Sequence, residues 1–260
     1  MSAPLLKTEG LTVEIGGKKV CRQLDVTISA GQRWGLLGIN GVGKTTLLHT
    51  LAGLRPPAQG EIRLGETSLL CDVPRRRIAQ HIGVLLQDDS EAFPGTVLET
   101  VLTGRHPWLD RWQWEGEEDR AVARAALRDV GLEGLESRQV NTLSGGERRR
   151  LALATLFAQD PTLFLLDEPT NHLDPHHQIG LLELLDQRVV DAENGRASLM
   201  ILHDINLATR FCDHLMLLFG EGEVHCGTAE VILTTDNLTR LYGHPVIAVD
   251  GPNGAVFLPG

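Results

Sequence analysis

Lys44 and Thr45 close the segment Gly38-Ile39-Asn40-Gly41-Val42-Gly43-Lys44-Thr45, which fits G-x-x-x-x-G-K-[ST] at every fixed position. Glycines let such a loop turn tightly with its N–H groups pointing inward, and a helix starting behind it adds positive potential, so the loop cradles phosphate oxygens. A lysine placed like Lys44 reaches β- and γ-phosphates, and a hydroxyl placed like Thr45 holds Mg²⁺. The expected nucleotide contacts are Gly38, Asn40, Gly41, Val42, Gly43, Lys44, Thr45 and Thr46. A second glycine-rich segment, Leu143-Ser144-Gly145-Gly146-Glu147, opens a helical pattern running to Ala158 and offers a serine hydroxyl beside bare backbone. A helix start of this kind is an anion site, although an ordinary helix cap reads the same way. Two phosphate-binding segments are served by a single carboxylate pair, Asp167-Glu168. That imbalance implies that one chain supplies half of each complete site.

The carboxylates divide by chemistry. Mg²⁺ keeps several waters and takes only one or two carboxylates besides the phosphates, so Asp167 is the metal partner, with Thr45 and Gln87 beside it. Glu168 is placed to orient and deprotonate an attacking water, a role worth roughly 10²–10⁴-fold in rate. The expected catalytic set is Lys44, Gln87, Glu168 and His203.

These residues come from distant parts of the chain, so a common scaffold must bring them together. Four short apolar runs end in them: 35–38, 82–87, 163–168 and 199–203. Continuous rather than alternating apolar character is expected of parallel strands covered on both faces, and ligands bind beyond the carboxyl ends of such strands. Arg33 to Leu37 reads as the strand entering the phosphate loop, and Leu47, Leu48, Leu51 and Leu54 recur at helical spacing on leaving it. Residues 5–15 and 20–30, turning at Gly16-Gly17, and residues 60–70 before Pro74 read as a smaller antiparallel sheet. From 88 to 156 the pattern turns helical, with helices over Thr96 to Leu102 and Glu117 to Val130, the second closed by Gly131. After His203 come a helix from Ile205 to Phe211, a strand pair near Leu215–Phe219 and Glu223–His225, and a short tail. The expected organisation is a single α/β domain. Residues 1–87 and 157–230 form a nucleotide-binding core with an antiparallel β subdomain, 88–156 a helical subdomain and 231–260 a tail.

Composition excludes several classes. The chain has 260 residues, 42% of them hydrophobic and 22% charged, and a net charge of −10. An acidic balance argues against a nucleic-acid footprint and against direct adhesion to anionic lipid, so a membrane role requires a protein partner. No apolar run approaches the roughly 18 residues that span a bilayer, and the first residues lack a secretory segment, which points to the cytosol. Cys21, Cys71, Cys212 and Cys226 are dispersed, as reduced, partly buried thiols are. His172, His176 and His177 have a spacing able to bind metal on a helix, but without supporting ligands they read as solvent-facing. Arg75-Arg76-Arg77 reads as solvated and Arg148-Arg149-Arg150 as partly packed on its helix.

The order of these motifs resembles the ATPase subunit of ATP-binding cassette transporters over essentially the whole chain. It runs from the phosphate loop through Gln87, Leu143-Ser144-Gly145-Gly146, the carboxylate strand and Thr170-Asn171-His172-Leu173-Asp174 to His203. The resemblance implies a P-loop NTPase fold with a RecA-like, mostly parallel core sheet, an antiparallel β subdomain and an inserted helical subdomain. It further implies a head-to-tail homodimer formed on ATP binding, in which Ser144, Gly145 and Gly146 of one subunit meet the ATP held by Lys44 of the other. Asp174 would cross that interface, and His203 would sense the γ-phosphate. Glu147 stands where the family often has glutamine. Ile15 stands where an aromatic commonly stacks on adenine, a contact worth roughly 1–3 kcal/mol.

Gly104-Arg105-His106-Pro107, Leu202-His203-Asp204-Ile205-Asn206-Leu207-Ala208 and the stretch from Asn237 to Val246 are similar to the ATPases of bacterial importers for iron–siderophore complexes, haem and cobalamin. That group implies two transmembrane permease subunits, an indirect link to a periplasmic substrate-binding protein, and a peripheral position on the cytoplasmic side of the inner membrane. Trp108, Trp112 and Trp114 read either as anchors for a permease helix or as a small core within the insertion. The alternative function is a soluble cassette ATPase acting on ribosomes or in iron–sulfur assembly, where Thr170-Asn171-His172-Leu173-Asp174 also occurs, though usually on two cassettes in tandem.

Overall fold

A computed structural model describes residues 4–69, 73–87, 95–171, 173–190, 195–251 and 254–260; Cys71 and His172 lie outside them. The strands β1 (Pro4–Ile15), β2 (Lys18–Leu24) and β3 (Thr27–Ser29) lead to β4 (Arg33–Gly38) and helix α1 (Lys44–Leu51). Next come β5 (Gln59–Leu64), β6 (Thr67–Ser68), α2 (Arg75–His81) and β7 (Ile82–Leu85). Helices α3 (Val97–Leu102), α4 (Glu117–Asp129) and α5 (Gly145–Gln159) follow, with a 3-10 turn over Thr103–Trp108. Then β8 (Leu163–Leu166), α6 (Pro175–Val190), β9 (Ala197–Ile201) and α7 (Ile205–Phe211) alternate. The chain closes with β10 (His214–Gly220), β11 (Glu223–Thr228), α8 (Ala229–Ile232), α9 (Thr235–Tyr242), β12 (Val246–Gly251) and β13 (Gly254–Pro259).

The large sheet has the order β11-β10-β4-β9-β8-β7, parallel throughout except for the β11 edge. Its strands are apolar on both faces because both faces are covered. Leu36, Leu165, Ile201 and Leu218 face α1 and the antiparallel sheet. Leu37, Phe164, Leu166, Met200 and Leu217 face a second core built with α3 to α6. Period-two alternation sends successive side chains to opposite layers, so each strand stitches two cores together. The smaller sheet has the order β2-β1-β5-β6, with β3 also on β1, and all pairings are antiparallel. The stretch 20–30, expected as one strand, is therefore two, pairing with opposite halves of β1.

The helical stretch begins at a capping box in which Thr96 and Glu99 exchange hydrogen bonds at 2.7 and 3.3 Å. Its helices bury Val101, Leu127, Leu151 and Phe157 in the same cluster as Phe164 of β8. That contact joins α5 directly to the carboxylate strand.

Two further expectations are corrected. Leu54 does not continue the α1 stripe: Gly53 takes a left-handed φ of 69° and ends the helix, leaving Leu54 55% exposed. Arg75, Arg76 and Arg77 are exposed, as expected of a solvated run, and the first two also tie α2 to its neighbours, Arg75 bonding the Gly53 carbonyl and Arg76 the Pro107 carbonyl at 2.9 Å. The stretch after 230 is a folded unit rather than a simple tail. Leu238, Val246 and Phe257 form a small core there. Asn206 of α7 grips β13, donating to the Phe257 carbonyl at 3.2 Å and accepting from its N–H at 2.9 Å.

Candidate nucleotide site

β4 delivers the chain into the phosphate loop, and two glycines there have no substitute. A Cβ on Gly38 would stand 2.9 Å from the Leu218 carbonyl. One on Gly43, whose φ is 108°, would stand 2.5 Å from Val20 Cγ2. The loop is thus pressed between β10 and the β1–β2 hairpin. Gly41 is open on its outer side, and Asn40 is exposed. Helix α1 has no acidic residue in its first turn, so nothing opposes the positive potential of its start.

Lys44 is buried, and its Nζ donates to the carbonyls of Gly38 at 2.9 Å and Ile39 at 3.2 Å. Burial holds its ammonium below the ordinary lysine range, with the carboxylates of Glu168 and Asp167 opposing. The loop's own carbonyls therefore occupy the donors that phosphate oxygens would take.

Asp167 is fully buried, and both its carboxylate oxygens lack a hydrogen-bond partner. Burial pushes its carboxyl above the ordinary range; the nearby Thr45 hydroxyl pulls it partly back without closing a hydrogen bond to either oxygen. An unpaired buried carboxylate is costly unless a cation completes it. No cluster of three or more His, Cys, Asp or Glu exists among the described residues, so a caged structural ion does not fit. One buried carboxylate next to a threonine hydroxyl fits Mg²⁺ that draws its remaining ligands from phosphates and water.

Glu168 follows with a left-handed φ of 49°, a conformation of order 1–3 kcal/mol above the ordinary regions for a residue with a side chain. The turn aims its carboxylate at three partners. Gln87 Nε2 donates to Oε2 at 2.8 Å, Asn171 Nδ2 donates to the same oxygen, and His203 Nε2 lies 2.6 Å from Oε1. These side chains stand just beyond β7, β8 and β9, neighbours in the sheet. Lys44, Thr45, Gln87, Asp167, Glu168 and His203 are thus brought to one edge.

The second glycine segment stays apart. Ser144 Oγ accepts from the Glu147 N–H at 3.3 Å, and Glu147 Oε2 accepts from the Ser144 N–H at 2.7 Å, a capping box that α5 completes on its own. Glu147 also pairs with Arg138 at 3.1 Å. Gly145 has open space where a side chain would be, and Gly146 abuts Leu173. Next to Leu173, Asp174 caps α6 by accepting from the His177 N–H at 3.1 Å, and its Oδ2 meets the His177 ring at 2.7 Å. Those two contacts hold its carboxyl below the usual range. Gly146 thus adjoins the turn that carries Asp174, and among the described residues none of the hydrogen bonds of Ser144, Gly145, Gly146 or Asp174 reaches residues 38–45. Ile15 is 42% exposed at the end of β1.

Three participants escaped the sequence reading. Asn171 lay in a named loop without a role. His49, one turn along α1 from Thr45, has a buried Nε2 without a partner and a ring within electrostatic range of Asp167. Arg149 bonds the backbone beneath both carboxylates. Among the other candidates, Trp112 and Trp114 are 88% and 85% exposed and so form no core. Cys21, Cys212 and Cys226 are free, and burial raises the thiols of Cys21 to about 11 and Cys226 to about 12. Among the described residues no helix is long and apolar enough to cross a membrane.

Residues 21–171 match the family described as ABC transporter. The hemin import ATP-binding protein HmuV of Nocardia farcinica is 39% identical over 256 residues, covering 95% of this chain and 85% of that protein. The ferric enterobactin transport ATP-binding protein FepC of Escherichia coli K12 is 36% identical over 252 residues, covering 96% and 92%. Among solved structures, an inward-facing ABC transporter described as of metal-chelate type superposes with a TM-score of 0.85 at 29% identity, over 99% of this chain and 98% of that one. With a phosphate loop, a buried carboxylate pair and this near-complete coverage, the chain belongs to the ABC transporter family, as one of its ATP-binding subunits.

Proposed function

We propose that this chain hydrolyses ATP to ADP and phosphate to energise an importer for a metal chelate, an iron–siderophore, haem or cobalamin, from the cytoplasmic side of a bacterial inner membrane. The observation that carries the reading is the convergence of Lys44, Asp167, Glu168, Gln87 and His203 on one sheet edge, in a chain similar along nearly its whole length to import ATP-binding proteins. The division into a core (1–87 and 157–230), a helical subdomain (88–156) and a C-terminal unit (231–260) goes with it.

In this reading Lys44 and the N–H groups of residues 40 to 46 hold the triphosphate. Asp167, Thr45 and Gln87 hold Mg²⁺, which supplies charge neutralisation on the phosphate oxygens. Glu168 takes a proton from the attacking water, and His203 braces Glu168 and the γ-phosphate. Ile15 gives adenine an apolar edge rather than an aromatic face. Ser144, Gly145, Gly146 and Asp174 complete the site of a second copy in a head-to-tail dimer, and two permease subunits receive the motion, with a periplasmic substrate-binding protein linked through them.

Purification of the tagged chain from gently solubilised membranes tests the transport reading. A polytopic membrane protein should co-purify. Recovery only from the cytosol, with ribosomal or iron–sulfur assembly proteins, would overturn transport and leave the ATPase chemistry standing.

A further inference from the structure

Arg149 lies on the second turn of α5, five residues after Ser144. Among the described residues its guanidinium donates to the carbonyls of Leu86 at 2.8 Å, Glu168 at 2.9 Å, Asp167 at 3.0 Å and Pro169 at 3.2 Å, all outside its own helix. Those carbonyls belong to the two turns that present Gln87 and Glu168. Among the described residues, its neighbour Arg148 bonds locally, to the carbonyls of Leu143 at 3.1 Å and Asn141 at 3.5 Å. The left-handed Glu168 turn needs its surroundings to hold it, and Arg149 grips the carbonyl on each side of it. A planar fork of five N–H donors can span such a set of acceptors, whereas a lysine ammonium cannot. The helix held by the other end of this clamp is the one that starts with Ser144, Gly145 and Gly146.

We infer that Arg149 is a positioning residue that fixes the Ser144 helix in register with the Glu168 and Gln87 turns of the same protomer. Docking of this helix on ATP held by a second copy and the setting of its own Glu168 then become one event, so the two ATP sites of a dimer are mechanically joined through Arg149. The inference rests on the ATPase reading above.

The test uses Arg149→Gln and Arg149→Lys, each in the wild-type chain and in a Glu168→Gln background. Expected are a kcat lowered about tenfold or more with KM for ATP within about twofold, as befits loss of an interaction that matters in the transition state. In the Glu168→Gln background, the ATP concentration for half-maximal dimerisation, read by light scattering, should rise about tenfold. Binding of a fluorescent ATP analogue to the monomer should stay unchanged. Arg149→Lys keeps the charge and loses the fork, so it should move both readouts in the same direction, and it decides the matter if Arg149→Gln does not fold. Normal turnover and dimerisation in either folded variant, or a kcat loss matched by the loss of folded protein in a thermal melt, would overturn the inference. A wild-type chain that neither hydrolyses ATP nor dimerises with it would instead sink the ATPase reading itself.

Discussion

His203 Nε2 meets Glu168 Oε1 at 2.6 Å, joining the ends of two neighbouring strands of the large sheet. The other carboxylate oxygen is held by Gln87 and Asn171. Glu168 is therefore held on both oxygens, and in the proposed role of base it would exchange one of these partners for the attacking water. Glu168→Gln preserves the shape and removes the base. Phosphate release should fall by roughly 10²–10⁴-fold while nucleotide binding persists. Unchanged steady-state turnover would remove Glu168 from the role of base.

Asp167 presents the opposite situation, a buried carboxylate with both oxygens unpaired. Without Mg²⁺ and nucleotide that charge is a liability to the fold. Asp167→Asn should raise the melting temperature of the nucleotide-free protein at pH 7 by about 2–4 °C, the equivalent of about 1 kcal/mol in a chain of this size. Adding Mg²⁺ with ATP should then stabilise the parent more than the variant. Differential scanning fluorimetry of the four samples measures both effects, and a variant that melts lower than its parent without nucleotide would refute the argument.

Arg105 links the Gly104-Arg105-His106-Pro107 motif to α4 and α5 rather than to the nucleotide. Its Nε donates to Asp119 at 2.9 Å and its Nη1 to the Ala158 carbonyl at 2.9 Å. Burial works to raise the Asp119 carboxyl, but Arg105 and the Gly116 N–H outweigh it and leave the group below its ordinary value. A carboxylate depressed by folding contributes stability above its unfolded value, and that contribution is lost as pH falls through the depressed folded value. Asp119→Asn should therefore cost about 1–3 kcal/mol at pH 7. The gap between parent and variant in urea melts should close as pH drops from about 5 into the acid range below the ordinary aspartate value. A gap that does not change with pH would assign the loss to packing.

The residues at the strand ends were legible because their surroundings leave a pattern: a continuous apolar run means a strand covered twice, and the polar residue after it stands at the ligand edge. The phosphate loop was legible because backbone sterics restrict Gly38 and Gly43. Arg149 was not, since the contacts that place it beneath Glu168 are to carbonyls, which every residue supplies. Asn171 becomes a partner of Glu168 only through the left-handed turn between them. Glu147 looked like a mild departure from glutamine, but the capping box and its pairing with Arg138 use its charge. Leu54 kept the helical period past a glycine that had already ended the helix. Periodicity records where a side chain could pack, and the backbone decides whether it does.

Trp112 and Trp114 project from the segment between the 3-10 turn and α4, almost wholly exposed, while Trp108 is anchored through Nε1 to the Gln159 carbonyl at 2.7 Å. Arg111 lies over the Trp112 ring at 6.0 Å, but two indoles this exposed bury little apolar surface within the chain. If they seat in a permease subunit, each can bury about 150–250 Å², and truncation of such an anchor typically costs 2 kcal/mol or more in binding. The double variant Trp112→Ser with Trp114→Ser should melt within about 1 °C of its parent, as surface changes do. It should hydrolyse ATP normally as an isolated protein. Its recovery with the membrane subunits after solubilisation should fall about 30-fold or more, the factor that corresponds to about 2 kcal/mol. A lowered melting temperature would show that the indoles support the fold after all and void the comparison; undiminished recovery with a normal melt would exclude them from the interface.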